Sequence, residues 1–266
     1  MLFDLPAQLS HEVCTNWITT PDLVRLDSAN VCYQHRSAFL SMLRTKYFCT
    51  EGDMKTASIN QAFQWVMSRK TKFNNFAVVD GALKTLPWLQ MGFFFRNLRS
   101  FKVNLVQSAL GDHRMIAALR RIFLNSCSTL EEFDGTGCLV LDDLFAGMKW
   151  PQNVSFPKLK TLKLSGCRLS LPNLVKLLQQ CPNVEVVDFS GSSVVTDAYL
   201  KALGAHCRVL KSLDLSSCAG FTGEALLPML SNCSSICYVA VKNCSQLSAE
   251  SVDSLLKLPR EVCCVL

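Results

Sequence analysis

The stretch from Cys207 to Cys218 reads Cys-Arg-Val-Leu-Lys-Ser-Leu-Asp-Leu-Ser-Ser-Cys. Within it, Leu213 and Leu215 alternate with polar neighbours at period two, the pattern of a short strand with one buried face. The spelling Leu210-x-x-Leu213-x-Leu215-x-x-Cys218 returns forward as Ile236-x-x-Val239-x-Val241-x-x-Cys244. It returns backward as Val184, Val187, Phe189 and Ser192, and again as Leu159, Leu162, Leu164 and Cys167. The steps between these copies are 25, 26 and 26 residues. A fixed period of roughly 20 to 30 residues means stacked coils, because one strand and one helix cannot bury their apolar faces alone.

Further copies extend this block. Upstream, Leu130, Phe133, Gly135 and Cys138 keep the spacing with one apolar position lost; Leu98, Phe101, Val103 and Val106 fit, as do Phe73, Phe76, Val78 and Gly81. Downstream, Val262 and Val265 begin an eighth copy, which places Val265 under Leu213 and Val239. Of the 23 positions in the three apolar columns, 22 are apolar in a chain that is 49% apolar, so chance does not account for the columns. About ten residues after each strand comes a helical stretch. Thr196, Thr222 and Ser248 stand at its start, where a hydroxyl can accept an unpaired helix N–H.

The chain has 266 residues, a net charge of +6 and 14 cysteines. No basic-then-apolar leader opens it, and no apolar run is long enough to span a bilayer, so the thiols are expected to be reduced. Zinc is not expected: there is no Cys-x-x-Cys, and His11, His35, His113 and His206 form no ligand pair. The cysteines follow the repeat instead. Cys127, Cys181, Cys207 and Cys233 share one column, and Cys138, Cys167, Cys218 and Cys244 another, where small weak donors suit turns into a core.

The columns resemble the cysteine-containing class of leucine-rich repeats. That resemblance implies an α/β fold: a right-handed solenoid of about seven to eight repeats with parallel strands, spanning residues 65–266. Residues 1–48 have another rhythm. Leu5, Leu9, Val13 and Trp17 recur every four residues, as on one helix face, and Pro6 suits a helix start. Leu23, Leu26, Ala29, Phe39, Leu40 and Leu43 continue the helical pattern, and the more polar residues 49–64 read as a junction. So short a bundle is expected to pack on a partner or on the solenoid.

Leu5-Pro6-x-x-Leu9, then Val13, then Asp22-Leu23-Val24-Arg25-Leu26, resembles the F-box family, although Ala29-Asn30-Val31-Cys32-Tyr33 lacks the family's closing Trp. The resemblance implies that Leu5, Pro6, Leu9, Val13, Leu23 and Leu26 bind the adaptor subunit of a cullin–RING (SCF-type) ubiquitin ligase. The alternative is a plain helical cap over the first coil, with no ligase role.

Between the apolar positions of each strand lie residues that line the concave face. The rungs run Ser100, Lys102, Asn104; Glu132, Asp134, Thr136; Thr161, Lys163, Ser165; Val186, Asp188, Ser190; Ser212, Asp214, Ser216; and Tyr238, Ala240, Lys242. Lys163, Val186, Asp188, Ser212, Asp214, Tyr238 and Lys242 are the candidates for holding a target protein. Val186 and Tyr238 are apolar where solvent is expected. Asp188 and Asp214 have a structural alternative as organisers of neighbouring turns. Two mild basic clusters, Lys149 with Lys158, Lys160 and Lys163, and Arg114 with Arg120 and Arg121, read as solvated faces or as contacts for an acidic partner.

The final Cys263-Cys264-Val265-Leu266 fits a C-a-a-X prenylation ending at Cys263, and reads equally as a closing strand. No catalytic constellation or phosphate loop is present, and Asp142-Asp143 reads as a surface turn. The expected function is therefore a non-enzymatic protein-binding adaptor without cofactor, metal or nucleic acid. It would be cytoplasmic or nuclear, and membrane-associated only if Cys263 is lipidated.

Overall fold

A computed structural model describes residues 39, 47–49, 64, 67–68, 73–79, 87–106, 113–148, 150–151, 154–257 and 263–265. The expected ligase-adaptor residues Leu5, Pro6, Leu9, Val13, Leu23 and Leu26 lie outside these, as do Gly81, Lys149 and Val262.

The described chain is an α/β solenoid built on one sheet. Its strands are β1 (Tyr47–Cys49), β2 (Asn75–Val79), β3 (Ser100–Asn104), β4 (Glu132–Asp134), β5 (Thr161–Lys163), β6 (Val186–Asp188), β7 (Ser212–Asp214), β8 (Tyr238–Ala240) and β9 (Cys263–Val265). All nine are hydrogen-bonded in sequence order, each parallel to the next. Between them lie α1 (Trp88–Phe94), α2 (His113–Asn125), α3 (Leu141–Phe145), α4 (Leu171–Gln180), α5 (Asp197–His206), α6 (Gly223–Asn232) and α7 (Ala249–Leu256). Sequential parallel strands joined by helical returns are what stacked coils require.

The apolar columns form the core. Leu159, Leu162, Leu164, Val184, Leu210, Leu213, Leu215 and Val239 are wholly buried, and Val187, Phe189, Ile236 and Val241 nearly so. The column that lost an apolar residue is repaired in space. A Cβ on Gly135 would meet Leu141 Cδ2 at 2.9 Å, so the α3 leucine occupies the volume a side chain there would need. Phe39 is helical and belongs to the same buried cluster as Phe73 and Phe76.

Two registers differ from expectation. Val239 pairs with Cys264, and Val265 pairs with Ala240, so the closing strand sits one residue away from the expected frame. Cysteine and valine both satisfy an apolar column, so the apolar pattern alone does not choose between them. Val106, expected in the turn column, is exposed. A further strand, β1, pairs with β2 at the expected boundary between module and junction, ahead of the first periodic copy.

Hydrogen bonds tie each coil to the one before. Ser192 Oγ donates to the Leu164 carbonyl at 2.9 Å, Cys218 Sγ to Phe189 at 3.1 Å and Cys244 Sγ to Leu215 at 3.2 Å. In the second cysteine column, Cys233 Sγ donates to the Cys207 carbonyl at 3.3 Å. The Tyr199 hydroxyl donates to Leu169 at 2.5 Å, and burial pushes its pKa up to about 12.

Two helix starts, those of α4 and α6, are clasped across coils. Thr196 and Thr222 make no side-chain cap on their own helices, contrary to expectation, whereas Ser248 accepts from the Ser251 N–H at 3.2 Å. Thr222 instead gives its N–H (2.6 Å) and its hydroxyl (3.1 Å) to the Asp197 carboxylate one coil back. Asp142 does the same for the start of α4, accepting from Ser170 N–H at 2.7 Å and Asn173 Nδ2 at 2.8 Å. It opens α3 and joins two coils; it is not part of a surface turn. Burial alone would raise its pKa, but the hydrogen bonds from Ser170 and Asn173 prevail and lower it. Arg120 is likewise structural, its guanidinium donating to the carbonyls of Asp143, Leu144 and Ala146 at the end of α3.

Candidate functional site: the strand face

Strands β4 to β7 have the burial order outward, inward, outward, so two side chains on each stand on the open face of the sheet. Register aligns them in columns: Ser100, Glu132, Thr161, Val186, Ser212 and Tyr238, then Lys102, Asp134, Lys163, Asp188, Asp214 and Ala240. Lys163, Val186, Asp188, Ser212, Asp214 and Tyr238 are half-buried there, and Lys242, just past β8, is exposed. The structure therefore brings six of the seven candidate target-binding residues to one face, with Lys242 in the turn that follows β8. Ser100 and Ala240, expected on that face, are buried; Ala240 is a methyl group between the longer Asp214 and Val265.

Asp134, Asp188 and Asp214 have a local task. The Oδ1 atoms accept the N–H of Thr136 (2.9 Å), Ser190 (2.8 Å) and Ser216 (2.8 Å), each two residues on. These Asx turns bend the chain off the sheet. The turn that follows needs a left-handed residue: Gly137, Gly166, Gly191, Ser217 and Asn243 all have φ between 56° and 68°. Glycine meets that demand without strain, and Ser217 does not.

A column missed by the sequence reading runs just ahead of the strands: Arg99, Glu131, Lys160, Glu185, Lys211 and Cys237. Here two successive N–H groups share one carbonyl, as Lys211 and Ser212 do with the Glu185 carbonyl at 2.7 and 3.0 Å. That bend lets Leu210 and Leu213 both face the core while Lys211 turns outward. Charges alternate along the column. Arg99 lies 3.8 Å from Glu131, and Glu185 binds Lys160 at 3.0 Å and Lys211 at 2.7 Å. Lys211 and Lys160 hold the Glu185 carboxyl below the usual carboxylate range. The alternation of sign at repeat spacing was the signal that could have found it.

Several cations of the two basic clusters are engaged within the chain. Lys160 pairs with Glu185, Lys163 with Glu132 at 2.5 Å, and Arg121 stacks on the Phe93 ring at 3.9 Å. Several thiols of the cysteine columns are held in their protonated, less reactive form by burial. Burial pushes the thiols of Cys167 and Cys207 up to about 12 and that of Cys218 to about 11, and raises Cys181 further. Among the described residues no cluster suited to a metal ion occurs, and no helix is long and apolar enough to cross a membrane. Cys263 lies in β9, register partner of Tyr238.

No family model matches the chain. Among solved structures, it is similar to a chain in the crystal structure of the Rad7 and Elc1 complex in yeast, with 11% identity and a TM-score of 0.34 over 97% of this chain and 92% of that one. A likeness at that level carries nothing to the strand face.

Proposed function

We propose that this chain is a non-enzymatic protein-binding adaptor that holds a target protein on the face of its parallel sheet. The observation that carries this reading is the unbroken row of outward side chains over neighbouring strands, with Val186 and Tyr238 standing where a solvated face would carry polar groups. A broad, regular surface suits a protein partner better than a small molecule.

The finer reading is a substrate-recognition subunit of a cullin–RING (SCF-type) ubiquitin ligase. Its support is the F-box-like spelling of Leu5, Pro6, Leu9, Val13, Leu23 and Leu26. In that role the chain contributes proximity, and the chemistry belongs to other subunits. A leucine-rich-repeat scaffold with a helical cap and no ligase role is the second reading, favoured by Phe39, which is helical and buried in the solenoid core. Co-purification separates them. The ligase reading expects the adaptor subunit to copurify with the full chain and to be lost on Leu9→Asp; no copurification, or no change with Leu9→Asp, leaves the scaffold reading. Lipidation of Cys263 belongs to the proposal as an accessory anchor, and would require β9 to leave β8.

A further inference from the structure

The strand face changes character along its length. On β3 to β5 its charges satisfy one another: Lys102 lies 3.6 Å from Asp134, Lys163 is 2.5 Å from Glu132, and Ser100 Oγ donates to Glu132 at 3.3 Å. On β6 and β7 they do not. Asp188 and Asp214 are register partners, each giving one oxygen to its turn. Among the described residues neither has a cation within 4 Å, and Lys163, register partner of Asp188, is turned to Glu132. Lys242 is exposed and forms no ion pair with either.

The preceding positions on these strands give the patch its shape. Ser212 stands between Val186 on one side and Tyr238 on the other. With strands about 4.8 Å apart, the small serine opens a notch roughly 10 Å across between an aliphatic wall and an aromatic one. The two carboxylates lie two residues further along, at the notch's end.

We propose that this half of the strand face takes a Lys- or Arg-bearing segment of a partner protein. The cationic side chain lays its aliphatic stem over Ser212, between Val186 and the Tyr238 ring, and places its charge between Asp188 and Asp214. A long basic side chain has the required shape: apolar methylenes ending in a cation that suits both an aromatic face and paired carboxylates. This inference rests on the adaptor reading above and names the chemistry of the segment it holds.

The test uses the immobilised full chain and a displayed library of random twelve-residue peptides. Peptides captured at low salt are then synthesised and titrated in solution. We expect Lys or Arg in every enriched family. Asp188→Asn and Asp214→Asn should each weaken binding about tenfold, near 1.4 kcal/mol, and about 1 M salt should weaken it further. Asparagine keeps the Oδ1 acceptor for the Ser190 and Ser216 turns, so an unchanged thermal midpoint separates lost charge from lost fold. Ser212→Lys fills the notch with an internal cation and should abolish binding.

No enrichment, enrichment without Lys or Arg, or indifference to both asparagine variants overturns the proposal. If cation-free peptides bind and weaken with Tyr238→Ala, the face is a binding surface of other chemistry and the adaptor reading stands without this inference. Binding indifferent to Tyr238→Ala and to both asparagine variants removes the two together.

Discussion

The hydroxyl of Ser192 donates to the carbonyl of Leu164 in the preceding coil, from a column where the next two coils use the thiols of Cys218 and Cys244 for the same bond. Serine and cysteine are thus interchangeable donors in a position where alanine is not. Ser192→Ala should cost about 1–1.5 kcal/mol, the net worth of one buried hydrogen bond, because the Leu164 carbonyl then keeps only the longer contact from the Cys167 N–H at 3.4 Å. Ser192→Cys should cost about 1 kcal/mol or less. Urea unfolding monitored by circular dichroism checks the pair; equal losses would make the bond irrelevant.

Ser217 occupies the left-handed turn position filled by Gly166 and Gly191 in the two coils before it. Ser217→Gly should stabilise the chain by about 0.5–1 kcal/mol, since relief of backbone strain outweighs the added freedom of the unfolded chain. Gly191→Ala should destabilise by about 1–2 kcal/mol even though a Cβ there meets nothing within 4 Å, so the effect is conformational alone. Paired thermal melts decide; a shift of the same sign in both variants contradicts the account.

Asp142 has its carboxyl lowered from 3.8 by Ser170 and Asn173 against the opposing effect of burial. A group depressed in the folded state binds its proton more readily in the unfolded chain. Its contribution is therefore complete above the unfolded value of 3.8 and is lost as pH falls through the lower folded value. Asp142→Asn should flatten the acid limb of the stability curve while leaving stability insensitive to pH between about 6 and 8. Urea midpoints across the acid range measure it.

Thiol labelling separates structure from chemistry. Cys237 is exposed, whereas Cys181, Cys207, Cys218 and Cys233 are wholly buried. Iodoacetamide at neutral pH should label Cys237 within minutes and those four only after denaturant is added, as mapped by mass spectrometry. Rapid labelling of Cys207, whose thiol burial holds at about 12, would point to a reactive nucleophile and away from a structural role.

The spine of the fold was legible because burial repeats: Leu159, Val184, Leu210 and Ile236 are apolar for one shared reason, and the same counting placed Val186, Asp188, Asp214 and Tyr238 outward. Legibility failed where the reason was not periodic. Val265 and Cys264 are equally acceptable in a core, so composition could not choose the β9 register. The clasp from Asp142 to Ser170 joins residues 28 apart, and no local spacing announces it. The outward turn of Lys211 came from two N–H groups sharing one carbonyl, a bend that strict alternation does not contain.

The sign alternation from Arg99 to Lys211 has an evolutionary corollary. Excising the coil that carries Glu185 would set Lys160 beside Lys211, like against like, whereas gaining or losing coils two at a time would keep opposite signs adjacent. Along this stretch, descendants that change length by an even number of coils inherit a neutral seam, and those that change by one inherit a repulsive join.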